Sequence, residues 1–263
     1  MASAAGVTSA DHWIATGKGR MLAREWRPHT VASAPPIILL HDSLGCIALW
    51  RDFPADLSAR TGRRVIAYDR LGFGQSEVSS ARLPLDFIYT ECGTSLPPLL
   101  GTLKVEGFVL FGHSVGGGMS TAGAADFGAR CVCLISESAQ IFHEERTFEG
   151  IRRALPSLAP GSARRERLKK YHGEKADWVL ASWADTWLDP AFDLDLTGHM
   201  RKIRCPVLAL HGDMDEFGST DQARYLCDRI AGPSTLWLMR ECGHVPHRDR
   251  PAEVLDAVES FLN

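Results

Sequence analysis

A serine lies at the centre of a glycine-rich run, Gly112-His113-Ser114-Val115-Gly116. The run directly follows the apolar stretch Phe108 to Phe111 and opens a segment with helical spacing, Val115 to Phe127. A sharp turn from strand to helix exposes a serine hydroxyl and aims the first helical amides at nearby negative charge. Such a turn needs glycine on both sides, because a side chain there would collide with the adjoining strand or helix. This context predicts that Ser114 is a nucleophile.

A serine hydroxyl is a weak nucleophile until a base removes its proton. Among the ten histidines of the chain, His244 is the candidate base, because it follows an apolar run and precedes the last helical segment. A histidine in such a loop can reach back over the ends of parallel strands. The order serine, acid, histidine along the chain also favours this residue.

An acid that orients the imidazole should lie between the serine and the histidine. The glycine turn after the apolar run Val207 to Leu210 carries two candidates, Asp213 and Asp215. Glu137, just past the apolar run Val132 to Ile135, is a third candidate because strand ends on one face converge on the same site.

Two backbone amides are expected to stabilise the negative charge that develops on the acyl oxygen. The first is the amide of Val115. The second should come from the loop after the first parallel strand, His41 to Gly45, where we assign it to Ser43. Histidines also stand at three strand ends, but their spacing matches no common metal-ligand motif, so we expect neither a metal nor an organic cofactor.

These motifs together resemble the α/β-hydrolase family over nearly the whole chain, and the cap-bearing, single-domain members are the most similar. The matching motifs are His41 to Gly45 with Trp50 following, Asp69 to Ser76, Gly112 to Gly116, Gly212 with Asp215, and Gly243 to Pro246. In similar sequences the acid is the last residue of a Gly-x-x-Asp pattern, so the resemblance selects Asp215 over Asp213.

The serine at position 114, in the turn from strand to helix, limits the reactions that the resemblance implies. Relatives that act as haloalkane dehalogenases or epoxide hydrolases hold aspartate where this chain holds Ser114. The resemblance therefore implies cleavage of an ester, thioester, lactone, amide or carbon–carbon acyl bond, with a small-molecule acyl substrate. One position departs from the family, because Asp42 stands where glycine is common. We expect its carboxylate to point away from the oxyanion and to accept hydrogen bonds from neighbouring backbone or a basic partner.

Strand-like and helix-like segments alternate along the chain, which predicts an α/β fold with a mostly parallel central sheet and helices on both faces. The predicted parallel strands are Ile37 to Leu40, Val65 to Tyr68, Phe108 to Phe111, Val132 to Ile135 and Val207 to Leu210. His12 to Arg27 reads as an antiparallel edge around a Gly-Lys-Gly turn. Helical spacing covers Trp50 to Thr61, Leu96 to Val105, Val115 to Phe127 and the segment that starts at Pro251.

The alternation of strand-like and helix-like segments stops between residues 140 and 200, where the pattern is helical and rich in arginine and lysine. We expect residues 1–139 and 201–263 to form the core and residues 140–200 to form an inserted helical cap. Aromatic side chains of this insertion are candidates for the substrate pocket, although packing against the core is an alternative for each. The candidates are Phe142, Trp178, Trp183 and Trp187. The charge run 164–170 is interpreted as a solvated helix face, with a docking patch for an acidic carrier protein as the alternative.

Composition sets the remaining expectations. A formal net charge of -3 lacks the concentrated basic surface that nucleic acids require, and the 45% hydrophobic content indicates no membrane span. Seven scattered cysteines do not form a disulfide framework, and residues 1–20 show no secretion signal, so we expect a cytoplasmic protein. The oligomeric state stays open.

Other functions are compatible with the same residues, since a fold does not fix a function. The triad would also serve a ligand receptor with little or no turnover. A peracid intermediate would give perhydrolase or haloperoxidase-like activity, and a His–Asp pair alone would support cofactor-free oxygenation.

Overall fold

Eight strands form one sheet within residues 6–79 and 81–263, the part of the chain that the computed structural model describes. They are β1 (Val7–Thr16), β2 (Gly19–Pro28), β3 (Ile37–Leu40), β4 (Val65–Tyr68), β5 (Phe108–His113), β6 (Cys131–Glu137), β7 (Val207–Gly212) and β8 (Ser234–Met239). Residues 1–5 belong to the predicted core segment 1–139 and to the stretch 1–20 in which no secretion signal is expected, and they lie outside the described residues.

The strand order is β1-β2-β4-β3-β5-β6-β7-β8. β1 and β2 form an antiparallel hairpin and β2 pairs antiparallel with β4, whereas all the other neighbours in the sheet pair in parallel. The predicted mostly parallel sheet with an antiparallel edge is therefore confirmed. Parallel order brings the carboxyl ends of β3, β5, β6 and β7 to one edge of the sheet, where ligands bind in open α/β sheets.

The helices are α1 (Phe53–Thr61), α2 (Phe87–Leu103), α3 (Val115–Phe127), α4 (Glu145–Ala154), α5 (Ala163–His172), α6 (Ala176–Trp187), α7 (Thr197–Met200), α8 (Asp221–Arg229), α9 (Pro246–Asp249) and α10 (Pro251–Leu262). Alternation along β3 explains how they cover both faces of the sheet. Ile38 and Leu40 belong to one hydrophobic core with residues of α2 and α3. Ile37 and Leu39 belong to a second core with residues of α1 and α10. Strands covered on both faces read as unbroken apolar runs, which is the pattern seen in the sequence.

Helix α2 is longer than the predicted segment Leu96 to Val105, because it begins at Phe87. Its first half contains residues with weak helix propensity, and two prolines interrupt its middle. Packing compensates: Ile88 and Cys92 are buried, and the Cys92 thiol donates to the carbonyl of Met119 in α3 at 3.2 Å. Tertiary contacts therefore override the local preference.

Helices α4 to α7 fill the chain between β6 and β7, within the segment predicted to be helical. An isolated bridge between Phe142 and Asp195 ties the start of this segment to its end. In the described ranges no helix has the length and apolar character needed to cross a membrane.

Candidate active site

Ser114 occupies the turn between β5 and α3. Its φ of 58° and ψ of -124° are unusual for a residue with a side chain, and its amide donates to the carbonyl of Glu137 in β6 at 2.9 Å. A Cβ at Gly112 would lie 2.0 Å from the carbonyl oxygen of Gly116, and a Cβ at Gly116 would lie 2.2 Å from that of Leu40. The predicted requirement for glycine at both positions is confirmed.

Three predicted side chains form a continuous hydrogen-bonded chain. The Oγ of Ser114 lies 2.9 Å from Nε2 of His244, and Nδ1 of His244 lies 2.8 and 2.9 Å from the two carboxylate oxygens of Asp215. Each residue comes from a different strand end: Ser114 follows β5, Asp215 follows β7, and His244 follows β8. All three are largely shielded from solvent, with Ser114 at 4% and Asp215 at 1% exposure.

The carboxylate of Asp215 is held in its ionised form. Burial acts to raise its pKa, but the nearby His244 and His211 outweigh burial and lower the pKa well below its usual range. Backbone amides of Phe217 and Gly218 also donate to its Oδ1, at 2.8 and 3.1 Å. For His244, burial acts to lower the pKa, but the Asp215 carboxylate outweighs it and the pKa is raised. An imidazole with a raised pKa is a stronger proton acceptor.

The other two candidate acids have different partners. Asp213 accepts a hydrogen bond from the amide of Glu241 at 2.7 Å and is exposed. Glu137 is fully buried and binds His247 instead, accepting from its amide at 2.8 Å and lying 2.6 Å from its Nδ1. The structure thus brings only Asp215, of these three acids, to His244.

Glu137, His113 and His247 also form the one group among the described residues whose ligand atoms lie close enough together to hold a metal ion, within 4.8 Å of one another. Their polar atoms have protein partners: Nε2 of His113 lies 2.8 Å from the carbonyl of His244, and Glu137 binds His247. Burial lowers the pKa of His113 to about 4, so its ring is neutral near pH 7 and donates to that carbonyl. The group therefore anchors the backbone that carries His244.

Hydrogen bonds fix the loop after β3 beside Ser114. The carbonyl of Asp42 accepts from Arg70 at 2.9 Å and lies 2.8 Å from Nδ1 of His41. The Asp42 carboxylate accepts from the amide of Leu44 at 3.1 Å, which is the expected bond to neighbouring backbone. Its other carboxylate oxygen lies 3.7 Å from Nδ1 of His113. Asp42 also lines the cavity at Ser114, and its charge contributes to the raised pKa of His244.

The two residues of the predicted oxyanion hole belong to different elements. Val115 is the first residue of α3, where helices leave amides without an intrahelical acceptor. Ser43 lines the cavity together with Ser114. Asp42 accepts from the amides of Leu44, at 3.1 Å, and Gly45, at 3.2 Å, so these two amides are already engaged, and the amide of Ser43 stays the predicted donor.

A cavity of about 290 Å³ opens beside Ser114 and His244, near the lower end of the range of about 300–1,000 Å³ for small-molecule sites. Its apolar wall is built by Leu44, Ile151, Leu158, Leu168, Trp183 and Trp187. Two of the four predicted pocket aromatics, Trp183 and Trp187, therefore line it.

The structure corrects the expectation for the other two aromatics, because they do not line this cavity. The ring of Phe142 packs against Tyr225 with centroids 4.9 Å apart. The ring of Trp178 packs on Phe73, with centroids 5.5 Å apart, and its indole nitrogen donates to the carbonyl of Ala81 at 3.2 Å. Both rings join the insertion to the rest of the chain.

Sequence reasoning missed two residues at the site. Gln140, just after β6, is 4% exposed and lies with its side-chain oxygen 3.1 Å from Oγ of Ser114. Phe217 lines the cavity with its ring 4.9 Å from that of His244. In the sequence, Gln140 could have been noticed because it lies just after a predicted strand, and Phe217 because it lies two residues after Asp215.

Comparison with known proteins identifies the family of this chain. Residues 37–257 match the model of the alpha/beta hydrolase family. The chain belongs to that family, as the turn at Ser114 and the order of the strands had indicated.

Individual relatives are distant. A serine hydrolase, BPHL, from Mus musculus is 26% identical over 224 residues, which cover 80% of this chain and 74% of the relative. The 1-acylglycerol-3-phosphate O-acyltransferase ABHD5 from the same species is 29% identical over 128 residues, 49% of this chain and 36% of that protein, so the chain spans about a third of its length. The naproxen esterase from Bacillus subtilis superposes with a TM-score of 0.72 at 21% identity, covering 98% of this chain and 92% of that one. The family and the hydrolase names among its relatives support a hydrolase.

Proposed function

We propose that the protein is a serine hydrolase that cleaves a carboxylic ester or a related acyl compound. The observation that carries this proposal is the unbroken hydrogen-bonded chain from Ser114 through His244 to Asp215, with its serine end open to a cavity. Such a chain converts a weakly nucleophilic hydroxyl into a reactive one. A serine hydrolase and an esterase are among the proteins similar to this chain, which agrees with this chemistry.

In the proposed reaction, Oγ of Ser114 attacks the acyl carbon while Nε2 of His244 takes the hydroxyl proton. The tetrahedral intermediate collapses, the bond to the leaving group breaks, and His244 returns the proton to that group. Water then attacks the acyl-enzyme, with His244 again accepting a proton, and the carboxylic acid leaves as Ser114 regains its hydrogen. Asp215 keeps the proton of the neutral imidazole on Nδ1 and stabilises the imidazolium between these transfers.

The amides of Val115 and Ser43 are proposed to bind the oxyanion, and residues 140–200 are proposed to act as a cap between core segments 1–139 and 201–263. Supporting the first point, both residues lie beside Ser114, one following it in the chain and the other across the cavity. Supporting the second, α4, α5 and α6 contribute cavity residues such as Ile151, Leu168 and Trp183. Exclusion of water by a cap strengthens the electrostatic interactions at such a site.

The test is turnover of p-nitrophenyl acyl esters by the wild type and by Ser114→Ala. The wild type should hydrolyse them, and the variant should lose at least about 10³-fold in kcat because triad members act as a unit. Ser120→Ala is the matched control, since this buried serine of α3 lies outside the hydrogen-bonded chain. Near-normal hydrolysis by Ser114→Ala would exclude the mechanism, and tight ligand binding without turnover in the wild type would favour a receptor.

A further inference from the structure

The cavity is bordered by three arginines whose charges the proposed acyl transfer does not use. Arg164 and Arg167 come from α5, and Arg248 comes from α9. All three are exposed, and within the described ranges none of them forms a salt bridge with a carboxylate. We call these three residues the arginine rim.

Two other cations of α5 form salt bridges, unlike the residues of the arginine rim. On the same helix, Arg165 binds Asp177 at 2.7 Å and Lys169 binds Glu166 at 2.9 Å. The guanidinium of Arg164 donates to Oγ of Ser157 at 3.0 Å. Burial lowers the pKa of Arg248 and repulsion from Arg51 and Arg167 lowers it further, while the charges of Asp42 and Asp249 act in the opposite direction without cancelling the shift. Mutually repelling cations beside a cavity gain free energy when an anion enters.

The cavity also contains two carboxylates, and both act on the catalytic base. Asp42 and Glu216 line the cavity, and both charges contribute to the raised pKa of His244. The base is therefore close to two negative charges, whereas the three arginine charges of the cavity come from α5 and α9. An anionic group of a ligand is repelled from the triad and attracted to the arginine rim, while an acyl carbonyl carries no net charge and can approach Ser114.

We propose that the substrates are acyl compounds that carry a carboxylate or phosphate at the end remote from the scissile bond, and that the arginine rim binds this anion. The inference rests on the proposed hydrolase function and adds a substrate class to it. The apolar wall between the two regions, including Leu158, Leu168 and Trp187, fits the carbon chain that joins the carbonyl to the anion. Guanidinium groups suit both anions, because they can donate two parallel hydrogen bonds to either one.

Three esters with six-carbon acyl chains test the proposal. The p-nitrophenyl ester of hexanoic acid is neutral, the mono-p-nitrophenyl ester of adipic acid ends in a carboxylate, and the p-nitrophenyl ester of 6-(phosphonooxy)hexanoic acid ends in a phosphate. The wild type should show a kcat/KM at least about tenfold higher for one or both charged esters at low ionic strength, and added salt should reduce the difference. The better charged ester identifies the preferred anion. Equal kcat/KM values for all three esters would overturn the proposal.

The variant Arg167→Gln with Arg248→Gln should raise KM for the preferred charged ester at least about tenfold and change KM for the hexanoate ester less than about twofold. Lys170→Gln is the matched control, because it removes one charge from an exposed position of α5 that does not line the cavity. An equal loss on charged and neutral esters, or the same loss in the Lys170 variant, would overturn the proposal.

A binding measurement separates this proposal from the proposed function. Hexyl phosphate should bind the wild-type protein in calorimetry, whereas 1-hexanol should bind much more weakly, and the double arginine variant should lose the difference. If no ester is hydrolysed but hexyl phosphate binds in this way, the hydrolase proposal fails and the arginine rim stands. If the hexanoate ester is hydrolysed through Ser114 but hexyl phosphate and hexanol bind alike, the reverse holds.

Discussion

Replacing Asp215 with asparagine tests the electrostatic part of the proposed mechanism. Its Oδ1 accepts from the amides of Phe217 and Gly218, so the oxygen of an asparagine side chain should take that position. The NH₂ group then takes the place of Oδ2, which lies 2.8 Å from Nδ1 of His244. A donor there favours the imidazole tautomer in which Nδ1 accepts and Nε2 carries the proton, and in this tautomer Nε2 does not take the proton of Ser114.

The expected loss in kcat for Asp215→Asn is about 10³- to 10⁴-fold, as for the same change in other serine triads. At about 1.36 kcal/mol per factor of ten, this corresponds to about 4–5.5 kcal/mol of transition-state stabilisation. The Asp215 carboxylate raises the pKa of His244, and the base must be neutral to act, so wild-type kcat/KM should rise with pH through a pKa above that of an ordinary imidazole. In the variant this limb should move to lower pH, because the raising charge is gone.

The assay is the pH dependence of p-nitrophenyl ester hydrolysis. Asp213→Asn is the matched control, because that carboxylate lies in the same turn but binds the amide of Glu241. It should retain activity within about threefold of the wild type, as expected for an exposed group outside the site. Equal activities of the two variants, or an unshifted acid limb in Asp215→Asn, would refute the reasoning.

Three further predictions concern the support of the site. Gln140→Leu should raise kcat in ester hydrolysis by up to about fivefold, because the single hydroxyl hydrogen of Ser114 is shared between Oε1 of Gln140 and Nε2 of His244 and the variant removes the competing acceptor; a lower kcat would contradict this role. Glu137→Ala should reduce the free energy of unfolding in urea by about 3–5 kcal/mol, because it leaves His247 buried without its partner; a loss below about 1 kcal/mol would contradict it. Gly116→Ala should cost at least about 3 kcal/mol, because its Cβ meets the carbonyl of Leu40, whereas Gly101→Ala on α2 meets nothing within 4 Å and should stabilise by about 0.5–1 kcal/mol.

The fold was largely predictable from the sequence because its central strands are buried on both faces. Residues such as Ile37 to Leu40 and Phe108 to Phe111 form short apolar runs that only buried strands explain. The first half of α2 was not predictable, because its helical state depends on packing of Ile88 and Cys92 against α3. Contacts between distant parts of the chain leave no periodic signal.

Some residues of the candidate site were also predictable from the sequence, and others were not. Ser114 and His244 stand in local motifs, whereas the choice of Asp215 over Asp213 required the family resemblance. Gln140 carries no motif, and its approach to Ser114 becomes visible only when β5 and β6 are aligned.

The pocket was the least predictable part. The sequence pattern does not distinguish a tryptophan that lines a cavity, such as Trp183, from one that packs elsewhere, such as Trp178. The basic run on α5 was interpreted as a solvated face, yet Arg164 and Arg167 line the cavity. Which face of an inserted helix meets a cavity depends on how the insertion packs on the core.

The most direct measurement of the central claim is mass-spectrometric mapping of a fluorophosphonate probe on the wild-type protein. The probe reacts with a serine only when a neighbouring base activates the hydroxyl. The mechanism predicts rapid modification of a single residue, Ser114, at a rate that falls at least about 10²-fold in His244→Ala. Modification of another serine, or a labelling rate at Ser114 that does not depend on His244, would contradict it.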